Sequence, residues 1–141
     1  MSKNILLGIT GSVAASKSEI LFGKVSKNNN VKIITTDAGS KYLTSEFLKN
    51  NEIISSWEDL QGSPHIELAR WAEVFLIYPA TANFISKMAM GIADDLLLST
   101  VLMYNDPIYL APAMHEEMYL NPIIQKNILE LSKNNIVCGP R

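Results

Sequence analysis

Near its amino terminus the chain reads Ile5-Leu6-Leu7-Gly8-Ile9-Thr10-Gly11-Ser12, a short apolar run that ends in two small residues. A strand that is buried on both faces of a parallel sheet has this unbroken pattern, because neither face meets water. From residue 13 to residue 27 the apolar side chains recur at helical spacing. A strand that leads directly into a helix is the first half of a βαβ unit, so this stretch predicts a parallel sheet.

The alternation of strands and helices continues along the rest of the chain. Further strands are predicted at 31–36, 53–54, 74–78, 107–111 and 135–138. Helices are predicted at 37–51, 65–72, 81–90, 94–104, 115–120 and 122–133. Parallel strands need crossover connections, and these place helices against the sheet. The prediction is therefore an α/β fold, a three-layer Rossmann-like or flavodoxin-like parallel sheet with helices on both faces.

Length and composition indicate one globular domain that binds a small molecule. The chain has 141 residues, of which 48% are apolar and 18% charged, and its formal net charge is -2. Without a basic surplus or a block of like charge, neither a nucleic acid nor an anionic membrane is expected as a partner. The single cysteine, Cys138, excludes an internal disulfide, and no signal peptide is visible. We expect a cytoplasmic protein.

In a parallel sheet, ligands bind beyond the carboxyl ends of the strands, so the residues that follow each strand are the candidate site. After the first strand, Gly11 and Ser12 are small enough for a phosphate to approach the backbone amides at a helix N-terminus. A serine-capped turn with no ligand explains the same residues equally well. A dinucleotide site also remains open, since Asp37 follows the second strand, although the GxGxxG pattern is missing.

Three further junctions carry polar side chains. Thr81 and Asn83 follow the third clear strand, where Thr81 is also a plausible helix cap. His115 follows the fourth strand, and His65 opens a helix behind a proline. Each histidine, taken alone, is more typical of a surface or packing residue than of a catalyst. Asp94-Asp95 is not a metal site by this reasoning, because adjacent helical residues diverge and no His or Cys completes a shell.

Five linked motifs give a more specific indication. They are G-S-V-A-A from residue 11, H-I-E-L-A-R-W-A from residue 65, P-A-T-A-N from residue 79, G-I-A-D-D-L-L from residue 91 and A-P-A-M-H-x-E-M-Y-x-N-P from residue 111. Their order and spacing resemble the flavoprotein cysteine decarboxylases across essentially the whole chain. Within that family the chain is most similar to the phosphopantothenoylcysteine decarboxylases of coenzyme A biosynthesis.

The resemblance implies FMN as cofactor and no metal. The residues that it implies for contact with FMN are Gly11, Ser12, Val13, Ala14, Thr36, Asp37, Ala38, Thr81, Ala82, Asn83, Phe84 and Ala113. His65 matches the family's catalytic base. His115 and Met118 match substrate-binding positions, and His115 replaces the asparagine that holds the substrate carboxylate in the family. The resemblance also implies a homo-oligomer, a trimer or a multiple of trimers, with FMN at a subunit interface.

The implied reaction is FMN-dependent decarboxylation of 4'-phosphopantothenoylcysteine to 4'-phosphopantetheine. Oxidation by the flavin of the carbon that bears sulfur creates an electron sink, which lets CO₂ leave. Family members continue past the position of Arg141 into a substrate flap with a proton-donating cysteine, so we expect residues 1–141 to be a single FMN-binding domain without that flap. Two alternatives remain open: oxidative decarboxylation of a peptide's C-terminal cysteine, and a non-catalytic FMN-binding regulatory subunit.

Overall fold

A computed structural model describes residues 2–139 of the chain. Its sheet has six parallel strands: β1 (Asn4–Ile9), β2 (Asn30–Thr35), β3 (Ile53–Ile54), β4 (Val74–Ala80), β5 (Tyr109–Pro112) and β6 (Ile136–Val137). The predicted parallel α/β architecture is confirmed. The strand order β3-β2-β1-β4-β5-β6 is the order of Rossmann folds rather than that of flavodoxin.

Helices cover the sheet on both faces. They are α1 (Ala15–Val25), α2 (Asp37–Ser40), α3 (Ser45–Asn50), α4 (Pro64–Trp71), α5 (Ala82–Met90), α6 (Leu96–Met103), α7 (Glu116–Tyr119) and α8 (Pro122–Ser132), with a 3₁₀ turn at Trp57–Asp59. Because side chains alternate along a strand, β1 contributes to two cores. Leu7 and Ile9 pack with Ala15 of α1 on one face, whereas Leu6 packs against Leu68 and Phe75 on the other. None of these helices is long and apolar enough to span a bilayer.

The single helix predicted at 37–51 is wrong, because two short helices occupy this segment. The chain leaves α2 after Ser40, and Thr44 then adopts extended backbone and caps α3, its hydroxyl accepting the Phe47 N–H at 3.2 Å. The carboxylate of Glu19 accepts hydrogen bonds from the Thr44 N–H and hydroxyl, at 2.7 and 3.0 Å. A cap that is fixed from a distant helix is not visible in local sequence spacing.

Helix α6 begins later than predicted, and its cap is Asp95 rather than Asp94. The Asp95 carboxylate accepts the Leu98 N–H at 2.7 Å, which satisfies one of the unpaired donors of the first turn. Asp94 instead pairs with Lys87 at 2.8 Å. Both carboxylates thus have structural partners, and no cluster of potential metal ligands occurs between residues 2 and 139.

The strand order creates a crevice at the carboxyl edge of the sheet. β1 lies between β2 and β4, so the loops after β1 and β4 leave the sheet in opposite directions at this point. The buried hydroxyl of Thr10 joins the two loops: it donates to the Pro79 carbonyl at 2.7 Å and accepts the Thr81 N–H at 3.0 Å. This crevice is the position at which doubly wound folds bind ligands.

Candidate functional site

A cavity of about 420 Å³ occupies the crevice. This volume lies within the range of about 300–1,000 Å³ found for small-molecule and cofactor sites. Loops after β1, β2, β4 and β5 contribute to its walls, together with α5 and α6. The lining residues are Thr10, Gly11, Ser12, Thr36, Ala38, Thr81, Ala82, Asn83, Phe84, Lys87, Asp95, Leu98, Ala113, Met114 and Met118.

Two helices, α1 and α5, begin at the cavity wall. α1, of 11 residues, follows the Gly11-Ser12 turn, and α5, of nine residues, follows Thr81. The Ser12 hydroxyl accepts the Ala14 N–H at 3.1 Å, and the Thr81 hydroxyl accepts the Phe84 N–H at 3.1 Å. Each helix N-terminus carries partial positive charge and amide donors that favour an anion. The cavity therefore suits a ligand with a phosphate group.

Gly11 permits a close approach between the loops after β1 and β2. A Cβ added at this position would collide with the Cβ of Ala38 and would also crowd the Ala38 backbone. Any larger residue at position 11 would push these two loops apart. The glycine thus keeps one end of the cavity narrow, and this role is packing rather than a special backbone angle, since Gly11 has no positive φ.

The charged side chains on the cavity wall are Lys87 and Asp95. Burial raises the pKa of Asp95, opposed by the hydrogen bond from the Leu98 N–H and reinforced by the neighbouring Asp94. The hydrogen bond to Asp94 raises the pKa of Lys87, so its ammonium remains protonated at neutral pH. The remaining wall consists of hydroxyls, one amide, small residues and apolar side chains.

A second cavity of about 400 Å³ adjoins the first. The two share a wall formed by Thr36, Ala38, Lys87 and Asp95. The second cavity adds Asp37, Ser55, Ser56, Trp57, Asp94 and Leu96. It is therefore much more acidic than the first, with three carboxylates around one ammonium.

Comparison with known proteins identifies the family. The family model described as Flavoprotein matches residues 1–141. The chain belongs to the flavoprotein family. Among curated proteins, this flavoprotein is 38% identical over 142 residues to a probable phosphopantothenoylcysteine decarboxylase of Streptococcus mutans, covering 94% of the chain and 79% of the relative. It is also 41% identical over 140 residues to the coenzyme A biosynthesis bifunctional protein CoaBC of Borreliella burgdorferi, covering 95% of the chain. The chain spans only 36% of that bifunctional relative.

Solved structures agree with this assignment. A mutant PPC decarboxylase complexed with pantothenoylaminoethenethiol matches this flavoprotein with a TM-score of 0.91 and 30% identity, covering 100% of the chain and 84% of that structure. The FMN binding protein AtHal3 matches with a TM-score of 0.90 and 29% identity, covering 100% and 82% respectively. The fold predicted from the resemblance is thus the fold of these proteins.

Most residues predicted to contact FMN meet at the first cavity. Those that line it are Gly11, Ser12, Thr36, Ala38, Thr81, Ala82, Asn83, Phe84 and Ala113, together with the predicted substrate residue Met118. Three others do not line it: Val13 is 78% exposed, Ala14 stands beside it in the turn, and Asp37 lines the second cavity. Their contact with FMN stays a prediction, as does that of the cavity residues.

Neither histidine of this flavoprotein lines the first cavity. His115 lies at the rim, where it caps α7 by accepting the Glu117 N–H at 3.3 Å on Nδ1. His65 lies in the first turn of α4, partly buried beside Trp57. The structure therefore places neither of the two predicted chemical residues in the wall of the first cavity.

Sequence reasoning missed five residues of the first cavity: Thr10, Lys87, Asp95, Leu98 and Met114. A helical signal was available for Lys87, which follows Asn83 by four residues and so lies on the same face of α5. No local signal was available for Thr10, because its role depends on the loop after β4, about 70 residues further along the chain.

Proposed function

We propose that the chain binds FMN in the first cavity and catalyses the decarboxylation of 4'-phosphopantothenoylcysteine to 4'-phosphopantetheine in coenzyme A biosynthesis. The observation that carries this proposal is the cavity itself, where residues from four of the five family motifs meet at the carboxyl edge of a Rossmann sheet. The curated relative from Streptococcus mutans, named a probable phosphopantothenoylcysteine decarboxylase, supports the choice of substrate. The FMN binding protein AtHal3 supports the choice of flavin.

The residues present fit FMN. The N-termini of α1 and α5 would hold its phosphate through backbone amides and the Ser12 hydroxyl. Phe84, Leu98 and Met114 offer an apolar wall for a flat ring, and Asn83 offers an amide for a polar ring edge. When bound, FMN supplies the capacity to accept a hydride from the substrate carbon that bears sulfur.

The two histidines would act on the substrate. His65 would bind the substrate sulfur through its imidazole and so prepare the thiol for oxidation. His115 would hold the substrate carboxylate in place of the family's asparagine. Since Nδ1 of His115 already accepts the Glu117 N–H, Nε2 is the nitrogen that remains to donate to a carboxylate.

The proposal extends to assembly and location. We infer a homo-oligomer, a trimer or a multiple of trimers, in which FMN lies at a subunit interface and a neighbouring copy completes the site around His65 and His115. The substrate is a small phosphorylated thiol. We propose that the reaction takes place in the cytoplasm.

Product analysis with the reconstituted protein tests this function. The purified chain is loaded with FMN, offered 4'-phosphopantothenoylcysteine and followed by CO₂ release and product mass. We expect CO₂ release that His65→Asn abolishes. A product lighter than 4'-phosphopantetheine by two hydrogens would show that the reaction stops at the enethiol, and turnover of a cysteine-terminated peptide instead would favour the peptide decarboxylases. FMN binding without CO₂ release from either substrate would overturn the catalytic proposal.

A further inference from the structure

The ring of His65 packs against the ring of Trp57. The two ring centroids lie 4.9 Å apart with an interplanar angle of 70°, an edge-to-face arrangement that aromatic rings prefer. Trp57 also lines the second cavity, where it is 45% exposed and shares the space with Asp37 and Asp95. Trp57 therefore contacts His65 and also lines the second cavity.

The turn that carries Trp57 is held firmly. The Asp59 carboxylate accepts the N–H groups of Ser55 and Ser56, at 2.7 and 3.1 Å, and closes a capping box around the 3₁₀ turn. The hydrogen bond from the Ser55 N–H lowers the pKa of Asp59, so the carboxylate that fixes the turn is ionised at neutral pH. The position of the indole is thus set by the backbone on both sides of it.

One nitrogen of His65 is buried without a partner. Within residues 2–139, Nδ1 makes no hydrogen bond and is screened from solvent. A neutral imidazole has one N–H and one lone pair, and a buried N–H without an acceptor is costly. The lone pair therefore belongs on Nδ1, and the proton belongs on Nε2.

We propose that Trp57 is a positioning residue for His65, and that it holds the imidazole in the tautomer that carries its proton on Nε2. This inference rests on the proposed function, since it refines how His65 meets the substrate sulfur. In this form Nε2–H donates to a thiolate whose proton has passed to solvent. A free cysteine thiol has a pKa of about 8.5, so a donor at the sulfur would enlarge a thiolate fraction that is small at neutral pH.

Nitrogen NMR of the protein without cofactor or substrate tests the geometry directly. The chain has two histidines, and His115→Asn removes the second, so a ¹⁵N-histidine sample of that variant reports His65 alone. We expect the Nε2–H form at pH 8, retained in Trp57→Phe and replaced by an averaged signal in Trp57→Ala. Trp71→Phe, which removes the other tryptophan, serves as the matched control and should leave the His65 signal unchanged.

Two results would overturn the inference. One is an Nδ1–H signal in the protein with intact Trp57, and the other is an unchanged ring signal in a folded Trp57→Ala variant. If Trp57→Ala does not fold, Asp59→Asn tests the same idea by loosening the turn, and an unaltered His65 signal there counts against it. These readouts do not involve decarboxylation, so they can fail or succeed independently of the proposed function.

Activity of the FMN-loaded enzyme distinguishes whether His65 donates a hydrogen bond to the substrate sulfur or accepts the thiol proton. The amide nitrogen of glutamine can replace an Nε2–H donor but cannot accept a proton from a thiol. We expect His65→Gln to retain at least ten times the activity of His65→Ala. Equal loss in both variants would show that the imidazole must accept the proton, and the donor role would be wrong.

Discussion

The two adjoining cavities share one wall but differ in charge. The first, which we assign to FMN, is lined by one carboxylate, Asp95, and one ammonium, Lys87, among hydroxyls and apolar side chains. The second sets Asp37 and Asp94 as well as Asp95 against the same ammonium. A phosphate with two negative charges is favoured beside the N-termini of α1 and α5 and disfavoured beside three carboxylates. The charges therefore favour an anion in the first cavity and disfavour one in the second.

The largest effect is expected from a substitution that distorts the wall of the first cavity. Gly11→Ala adds a Cβ that collides with Ala38, so the loops after β1 and β2 must separate. We expect FMN affinity to fall at least tenfold, about 1.4 kcal/mol or more, which flavin fluorescence titration measures. Gly23→Ala, where an added Cβ meets nothing within 4 Å, is the matched control. An affinity equal to that of wild type would mean that the cofactor lies elsewhere.

The second-largest effect is expected for the Thr10 hydroxyl, which joins the loops after β1 and β4. Thr10→Val removes the hydroxyl that serves both the Pro79 carbonyl and the Thr81 N–H. Buried polar groups left without partners cost about 1–3 kcal/mol, so urea unfolding should show a loss of this size. Thr10→Ser keeps the hydroxyl and should lose less than half as much. Equal losses in the two variants would show that the hydroxyl contributes no more to stability than the methyl group does.

A smaller effect is expected for Asp95, which lies in the wall that the two cavities share. Asp95→Ala removes the cap of α6 and should cost about 1 kcal/mol, whereas Asp95→Asn keeps a good cap. Because burial raises the pKa of Asp95 above its unfolded value of 3.8, the folded state binds the proton more tightly than the unfolded state. The cost of this buried charge is present above the raised pKa and disappears as pH falls through it.

Unfolding curves from pH 4 to pH 7 test the direction in which the contribution of Asp95 to stability changes with pH. The asparagine variant should be at least as stable as wild type at pH 7, and its advantage should shrink toward pH 4. An advantage that grows as pH falls would contradict the assignment of Asp95 as a desolvated carboxyl.

The smallest effect is expected at the ion pair that Lys87 of the shared wall forms with Asp94 of the second cavity. Lys87 pairs with Asp94 at the partly exposed surface, with side chains 32% and 51% exposed. Ion pairs between exposed side chains contribute little to stability, because water screens them. Lys87→Met should therefore change the free energy of unfolding less than Asp95→Ala does, and the exchange Lys87→Asp with Asp94→Lys should restore part of any loss. A loss larger than that of Asp95→Ala would show that Lys87 supports more than the ion pair.

The sequence predicted the architecture because strands and helices differ in period, and each strand from β1 to β6 is marked by its own apolar run. The split of the helix at 37–51 was not predictable, since the cap at Thr44 is fixed by Glu19 from α1. The loops that form the first cavity were found from motifs at the ends of strands. Thr10 and Trp57 were missed because their roles arise from contacts that only the folded chain creates.

The difference between FMN and riboflavin affinity tests the central claim most directly. Riboflavin has the same ring as FMN but no phosphate, so the comparison isolates the anion site at the N-termini of α1 and α5. We expect saturable binding of one FMN per chain, at least tenfold tighter than riboflavin. Equal affinity for the two flavins, or no binding of FMN to the purified protein, would contradict the account.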